Sequence, residues 1–409
     1  MTIVGINSHP GGSTKNIMCE VLDIAHEKSG CNTYSFWGTW KKTSAKSAKG
    51  EPFGFLFENY LSALLSRTFG LHGCFSFLGT YLLLRRIKKI SPDIIHLHTL
   101  HLWTVNIPLL IKYIKRNHVK VIWTMHDCWA FTGHCAHFTY ENCFKWKDGT
   151  CSKCPRIKDY PTSYIDNSHL MWNLKKKWFT SIDEMTIVTP SCWLKELVSQ
   201  SFLNSYPIVV INNGIDLDIF RPTISDFRAR FSIPNTKFII LGVAFQWGDK
   251  KGLDVFLELY RVLNKNLFQI VLVGINDEIR SLLPKEICSI TRTGSRTELA
   301  EIYTAADLFV NPTREENYPT VNMESLACGT PVLTFNTGGC AEIIKEKCGM
   351  VVENNDFNEL CDKINYIYNE KPFRSEDCVE YAKCFDFRLR YQQYISLYND
   401  IGFVSAKQI

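Results

Sequence analysis

Ten short apolar runs, spaced along the whole chain, limit what it can fold into more than any other feature. In the first half they are TIVGIN, DIIHLHT, VKVIWTMH and MTIVTPS; in the second, PIVVINNG, KFIILGVAF, FQIVLVG, ADLFVNPT, TPVLTFN and GMVVEN. Each is strand-length, apolar without regular alternation, and separated from the next by a helix-length segment. A sheet with one wet face needs alternation, so these runs predict parallel strands covered by helices on both faces. A chain of 409 residues has length enough for two such α/β domains, each doubly wound around its own core.

The segment VVINNGIDLDIFRPT, Val209 to Thr223, joins Asn-Asn-Gly to a proline after an aromatic and reads as a connector. It puts the boundary near residue 207, with one domain over 1–207 and the other over 208–385. The last segment, FDFRLRYQQYISLYNDI, Phe385 to Ile401, spaces its aromatics as a helix does.

Composition excludes several classes. Hydrophobic residues are 45% and charged residues 21%, which suits a globular chain and not a disordered one. The start, MTIVGINSHPGG, is too short and too polar for a signal peptide, and no apolar stretch reaches the roughly 18 residues of a membrane span. A cytoplasmic protein is the expectation. Sixteen cysteines are then expected to be reduced and mostly scattered through the cores.

Charge is uneven. Residues 1–200 carry 24 Lys and Arg against 14 Asp and Glu, while 201–409 carry 22 against 27. A basic first half predicts an anionic surface or substrate there. The clusters LLLRRIKKI, Leu82 to Ile90, and NLKKKWF, Asn173 to Phe179, mix cations with Leu, Trp and Phe as interfacial segments do; solvated helix faces are the alternative reading.

The chemistry concentrates where REENYPTVNMESLACGTPV, Arg314 to Val332, follows the apolar run DLFV. Glu316 lies in the loop and Glu324 eight residues on, in the second turn of a helix that Pro319 opens. Unpaired N–H groups of that first turn suit a phosphate, and the two carboxylates suit hydroxyls at opposite ends of an elongated ligand such as a nucleotide sugar. Two solvated acids on a surface helix are the plain alternative. Other candidates sit at strand ends: Gly11 and Gly12 in HPGGSTKNIM, where backbone can approach a ligand, and His126 with Asp127 in WTMHDCWAFTGHC. The histidines of HLHTLHLW, His96 to Trp103, are less defined. Lys250 and Lys251 in FQWGDKKGLD place cations beside a leaving diphosphate. Ser295 or Thr297 in RTGSRTELAEIY reads as a helix cap.

Glu316-x7-Glu324 followed by SLACGTPVLTFNTGG resembles the signature of retaining nucleotide-sugar glycosyltransferases of family four with the GT-B fold, among them those of exopolysaccharide and colanic-acid type. The NNGID connector, the His126-Asp127 pair and the Lys-Gly-Leu order at Lys251 are similar to the same family. The resemblance implies two Rossmann-like domains facing a cleft, with a last helix, 386–409, crossing back onto the first. It implies that Glu316 holds sugar hydroxyls and Glu324 the ribose. The amides of Asn317, Tyr318, Pro319, Thr320 and Val321 would line the phosphates, Lys251 would meet the departing diphosphate, and His126 the donor sugar. Gly11, Gly12 and the loop at Ser295 would lie near the donor. Many members have an arginine where this chain has Phe245, Gln246 and Trp247; Arg292 or Arg296 are the substitutes at hand.

The implied activity is a metal-independent, retaining transfer of a hexose from a nucleoside-diphosphate sugar to a glycan or lipid-diphosphate-linked acceptor in surface polysaccharide synthesis. It requires no catalytic cofactor and no nucleic acid, and allows peripheral contact with the inner face of an anionic membrane. A sugar-nucleotide epimerase or a phosphorylase on the same scaffold is the second reading. A nucleic-acid-binding protein built on the basic half is the rival from another class. Finally, Cys135, Cys143, Cys151 and Cys154 have a spacing suited to a structural zinc site, with a reduced or disulfide-linked loop as the alternative.

Overall fold

The computed structural model describes residues 1–40 and 50–403. It divides into two compact units, Met1–Asn212 with the segment from Tyr391 onward, and Asn213–Arg390.

The first unit runs β1 (Thr2–Asn7), α1 (Gly12–Ser29), β2 (Asn32–Gly38), β3 (Gly50–Phe53), α2 (Leu56–Phe69), α3 (Phe77–Ile90), β4 (Ile94–Leu97), α4 (Ile107–Arg116), β5 (Lys120–Thr124), α5 (Ser168–Phe179), β6 (Met185–Thr189), α6 (Cys192–Ser199) and β7 (Ile208–Val210). The strands form one parallel sheet in the order β3-β2-β1-β4-β5-β6-β7. Ile3, Val4 and Ile6 of β1 and Ile94, Ile95 and Leu97 of β4 are fully buried, which is why these runs are apolar on both faces.

The second unit runs α7 (Phe227–Arg230), β8 (Phe238–Val243), α8 (Leu253–Val262), β9 (Phe268–Val273), α9 (Asp277–Arg280), β10 (Cys288–Ile290), α10 (Arg296–Ala305), β11 (Leu308–Asn311), α11 (Thr320–Ala327), β12 (Val332–Phe335), α12 (Cys340–Ile343), β13 (Gly349–Val352), α13 (Phe357–Glu370) and α14 (Ser375–Ala382). Its sheet is also parallel, ordered β10-β9-β8-β11-β12-β13. Apolar clusters cover both faces, one containing Phe309 and Met323 and the other Leu333 and Phe335.

Two placements differ from the sequence reading. The boundary expected at 207 falls before β7, but β7 pairs with β6 through Ile187–Ile208 and Thr189–Val210, so PIVVINNG completes the first sheet and the unit extends to Asn212. The basic segment Asn173–Phe179 is not interfacial as a whole. It is the C-terminal part of α5, whose Met171, Trp172 and Phe179 are core residues. Even Lys175 is buried there, donating to the Trp129 carbonyl at 2.5 Å and lying 3.9 Å from the centre of the Trp129 ring.

The last helix, α15 (Phe387–Phe403), joins the first unit from Tyr391 onward; residues 404–409 of the expected 386–409 segment lie outside the described residues. Tyr394 and Tyr398 are buried. The Tyr398 hydroxyl pairs with His96 Nδ1 at 2.7 Å, His96 Nε2 pairs with Thr124 Oγ1 at 2.8 Å, and Tyr394 reaches the same threonine at 3.0 Å. A polar chain in a dry core is stabilising only when every member has a partner. Tyr398→Phe is therefore expected to lower stability by about 1–3 kcal/mol, the cost of a buried ring nitrogen without its partner, read as a lower thermal midpoint.

Candidate active site

In a parallel sheet every strand delivers its following loop to the same edge. Where the chain order reverses, adjacent loops leave toward opposite faces and open a crevice. In the second unit that reversal lies between β8 and β11. The loop after β8 carries Lys251 and the loop after β11 carries Glu316; Lys251 Nζ donates to Glu316 Oε2 at 2.7 Å and to the Glu315 carbonyl at 3.3 Å. Burial pulls the lysine's pKa down, but the Glu316 carboxylate outweighs it and the ammonium is held above its ordinary range. Glu316 Oε1 accepts the N–H of Asn317 at 3.0 Å.

Two glycines allow this approach. Gly252 (φ +74°) would put a Cβ 2.5 Å from the Pro312 carbonyl, and Gly338 (φ +57°) would put one 1.9 Å from the Glu316 carbonyl, so side chains at either would push the loops apart. Gly339 donates to the Asn317 carbonyl at 2.7 Å and holds the third loop against the second.

Arg314, a residue the sequence reading passed over, fastens the same loops. Its guanidinium makes two 2.7 Å bonds to the two carboxylate oxygens of Asp254, in the first turn of α8, and its amide donates to the Lys250 carbonyl at 2.9 Å. It also bonds the Asp249 carbonyl and the Asn355 side chain. The signal was an arginine two residues before Glu316 and an aspartate three residues after Lys251, too ordinary a pair to single out without the fold.

Behind the loop, α11 begins at Thr320, with Pro319 as the preceding residue and no side chain capping its first turn. Those N–H groups are the ones the sequence reading offered to an anion. Glu324 lies one turn further, accepting from the Tyr303 hydroxyl at 3.3 Å. Burial raises its pKa, and Arg296 with the Thr320 and Tyr303 hydroxyls pulls it back only in part. The structure therefore brings Lys251, Glu316, Asn317 and the start of α11 together, with Glu324 one turn along α11 and Arg296, at the start of α10, acting on its carboxylate.

Other candidates have a structural explanation. The Tyr318 side chain is in the core, and that of Val321 packs against it. Ser295 caps α10, accepting from Glu298 N at 3.1 Å, while the Glu298 carboxylate accepts from Gly294 N, one residue before the cap, at 2.6 Å. Trp247, where an arginine was expected, is buried on Phe256 and donates to the Val273 carbonyl at 2.8 Å. Arg292 lies 5.0 Å from the centre of the exposed Phe245 ring. Asp216 and Asp218 have the two-apart spacing of a metal-binding acid pair, but Arg388 bonds Asp218 at 2.6 Å and faces Asp216 at 3.9 Å.

In the first unit the order reverses between β1 and β4. Ser8 N donates to the Thr99 carbonyl and Thr99 N to Asn7 Oδ1, stitching the two loops together. Gly11 and Gly12 (φ +79°) lead into α1, and His9 Nδ1 folds back on the Gly11 carbonyl at 2.6 Å. His126 follows β5, and its Nε2 lies 2.9 Å from His98 Nδ1 with the rings stacked. His101 Nε2 is 3.5 Å from Asp127 Oδ2, while Asp127 Oδ1 accepts from Trp129 N. Burial drives His126 down to about 4, against the pull of Asp127, and drives His98 well below the ordinary range. Both are neutral imidazoles at physiological pH, able to pass a hydrogen bond but carrying no charge. His98, set aside as ambiguous in the sequence, is the partner that orients His126.

Cys135, Cys143, Cys151 and Cys154, the residues of the zinc site expected from their spacing, line one small cavity with His134. Among the described residues no group of three or more His, Cys, Asp or Glu side chains is arranged to hold a metal ion. Cys135 instead shares a hydrogen bond with Cys154, which together with burial holds its pKa well above the ordinary thiol range, and burial pushes Cys151 up to about 11.

Residues 60–219 match the family described as Glycosyltransferase Family 4, and residues 224–384 match Glycosyl transferases group 1. Over 287 residues the chain is 25% identical to WcaC of Escherichia coli, a glycosyl transferase assigned to colanic acid biosynthesis, covering 67% of each protein. Over 206 residues it is 25% identical to the N,N'-diacetylbacillosaminyl-diphospho-undecaprenol alpha-1,3-N-acetylgalactosaminyltransferase of Campylobacter jejuni, covering 47% of this chain and 54% of that one. Among solved structures, sucrose-phosphate synthase from Thermosynechococcus elongatus superposes with a TM-score of 0.70 at 18% identity, covering 98% of both chains. Anabaena HepE in complex with UDP-glucose gives 0.66 at 14% identity, covering 98% of this chain and 99% of that one.

The buried histidines predict a pH response. His72 and His96 titrate at about 3, His126 and His134 at about 4, all lowered chiefly by burial. Unfolded, each takes up a proton near pH 6.5, so the unfolded state gains protons first as pH falls, and stability present above 6.5 is lost progressively toward 4. Each contributes a loss of up to about 2 kcal/mol by pH 5. The thermal midpoint should drop steeply from pH 7 to pH 5 and stay nearly flat from 7 to 8.

Proposed function

This chain belongs to the GT-B glycosyltransferases, and we propose that it transfers a hexose, with retention at the anomeric carbon, from a nucleoside-diphosphate sugar to a glycan or lipid-linked glycan in surface polysaccharide synthesis. The observation that carries the reading is the Lys251–Glu316 contact at the strand reversal, beside the open first turn of α11. A sugar nucleotide has an anionic middle and hydroxyl-bearing ends. The α11 amides and Lys251 meet the diphosphate, Glu316 accepts from hydroxyls of the transferred sugar, and Glu324 accepts from the ribose.

As the glycosidic bond breaks, negative charge builds on the departing phosphate. A fixed ammonium and aligned amides stabilise that state more than the ground state, which is what lowers a barrier. Lys251 is charged at the start because Glu316 keeps it so. When a diphosphate takes over the lysine, Glu316 is released to bind the sugar. These groups supply the charge a divalent ion would otherwise supply, which supports metal-independent turnover. A same-face departure and attack needs no protein nucleophile and accounts for retention. In the first unit His126, neutral and oriented by His98, is assigned to a sugar hydroxyl.

Two relatives support an acceptor class. One is assigned to colanic acid biosynthesis, and the name of another specifies a diphospho-undecaprenol substrate, so a lipid-linked glycan on the cytoplasmic side of the membrane is the acceptor we favour.

Incubating the protein with a panel of nucleotide sugars and an undecaprenyl-diphosphate glycan, with mass detection of nucleotide and product, tests the assignment. Glu316→Gln and Lys251→Met are each expected to lower kcat about 100-fold or more without unfolding the chain, and EDTA is expected to leave turnover unchanged. An isomerised donor formed without acceptor, or activity restored only by magnesium or manganese after chelation, would overturn it.

A further inference from the structure

Helix α2 is turned inside out. The residues it presents to the protein are Asn59, Ser62, Ala63 and Ser66, all small or polar, while Phe57, Leu61 and Leu64 face outward; Phe57 is 81% exposed. A helix normally buries its apolar stripe. Its neighbour continues the surface, because both oxygens of Glu58 in α2 accept the N–H groups of Leu78 and Gly79 at 2.7 Å. That clamp sets Phe77, Leu78 and Tyr81, each more than half exposed, beside the outward face of α2. Isolated apolar residues on a surface need no explanation, but a contiguous patch from two helices does.

The second half of α3 exposes Arg85, Arg86, Lys88 and Lys89, and its sequence contains no acid. The sole acid of α2, Glu58, is engaged in the clamp. Among the described residues Arg86 pairs with Glu51 at 3.0 Å, and both are half exposed. The face is therefore apolar at one end and cationic at the other. A symmetric dimer through the whole face would set cations either against like charges or against apolar side chains. Lipid provides both complements, acyl chains and phosphates, and no described helix is long and apolar enough to cross a membrane.

We propose that the α2–α3 face docks on an anionic membrane, with Phe57, Leu61, Leu64, Phe77, Leu78 and Tyr81 entering the boundary between headgroups and acyl chains and the α3 cations meeting lipid phosphates. Of the two basic clusters in the sequence, the one at Leu82–Ile90 serves this contact, whereas the one at Asn173–Phe179 belongs to a helix whose apolar side is core. The inference stands apart from the sugar-transfer reading, since docking needs neither donor nor acceptor.

Flotation of the full chain with phosphatidylcholine vesicles, with and without phosphatidylglycerol and in the absence of any nucleotide sugar, tests it. Binding is expected to the anionic vesicles and to weaken with salt. The double variant Phe57→Ser, Leu64→Ser should bind about tenfold more weakly or worse, and Arg85→Gln with Lys88→Gln should lose about the same while reducing the salt dependence. All four side chains are exposed, so an unchanged thermal midpoint will show that the variants fold. Equal binding to neutral vesicles, no binding, or wild-type binding by both variants overturns the proposal. So does a dimer in solution that the Phe57 and Leu64 substitutions dissolve, because the face would then join two copies.

Discussion

The parallel pairing of β8 with β11 is the constraint on which the candidate site depends. Sixty-odd residues separate Lys251 from Glu316, yet Leu308–Ile240 and Phe309–Leu241 set the two strands in register and bring the loops that follow to one edge. The apolar runs therefore do more than form a core, since their register decides which polar residues meet. Arg314 converts that rough meeting into a fixed geometry. Its bidentate bond to Asp254 ties the loop before Glu316 to the helix after Lys251, and a planar fork holds orientation as well as distance. A carboxylate left without such bracing would drift, and a cation in the same crevice would be solvated instead of aimed.

The first unit uses burial where the second uses charge. Its histidines sit at strand ends, stacked and hydrogen-bonded to one another, to Thr124 and to Tyr398, and Tyr394 bonds the same threonine. Desolvation keeps them neutral, so they offer directional bonds without long-range fields. This suits recognition of sugar hydroxyls, which carry no charge and reward orientation. In the second unit, where we propose that a diphosphate binds, an ammonium supported by a carboxylate is the better tool. The difference in composition between the halves is thus only partly a map of function, since one of the cations of the basic half, Lys175, is sealed in the core against Trp129.

What was legible in the sequence follows from which patterns are local. Both parallel sheets could be read because a strand covered on both faces must be apolar throughout. The strands β2, β3 and β10 were not among the ten runs. NTYSFWG mixes polar residues with aromatics, GEPF is short and mostly exposed, and CSI is a three-residue edge. Glu316 and Lys251 were readable through resemblance, and their contact needed the register. The ligand-like spacing of the four cysteines was equally plain, and the four do line one small cavity.

Helix α2 shows the deeper limit. Periodicity reveals that a helix has an apolar stripe, and nothing in it tells inside from outside; the stripe on α2 and the stripe on α5 look alike as patterns. The difference lies in the opposite faces. On α5 the apolar side carries Met171, Trp172 and Phe179, large enough to fill a core. On α2 the alternative face is Asn59, Ser62, Ala63 and Ser66, small residues that let a helix lie close against the protein. Close packing of small residues can hold a helix in place without its apolar side, and on this face Asn59 Nδ2 donates to the Thr39 carbonyl at 2.6 Å. The large side chains are then left free to meet something other than the protein. The choice of small residues on the inward face, more than the presence of large ones on the outward face, marks this surface as built for contact.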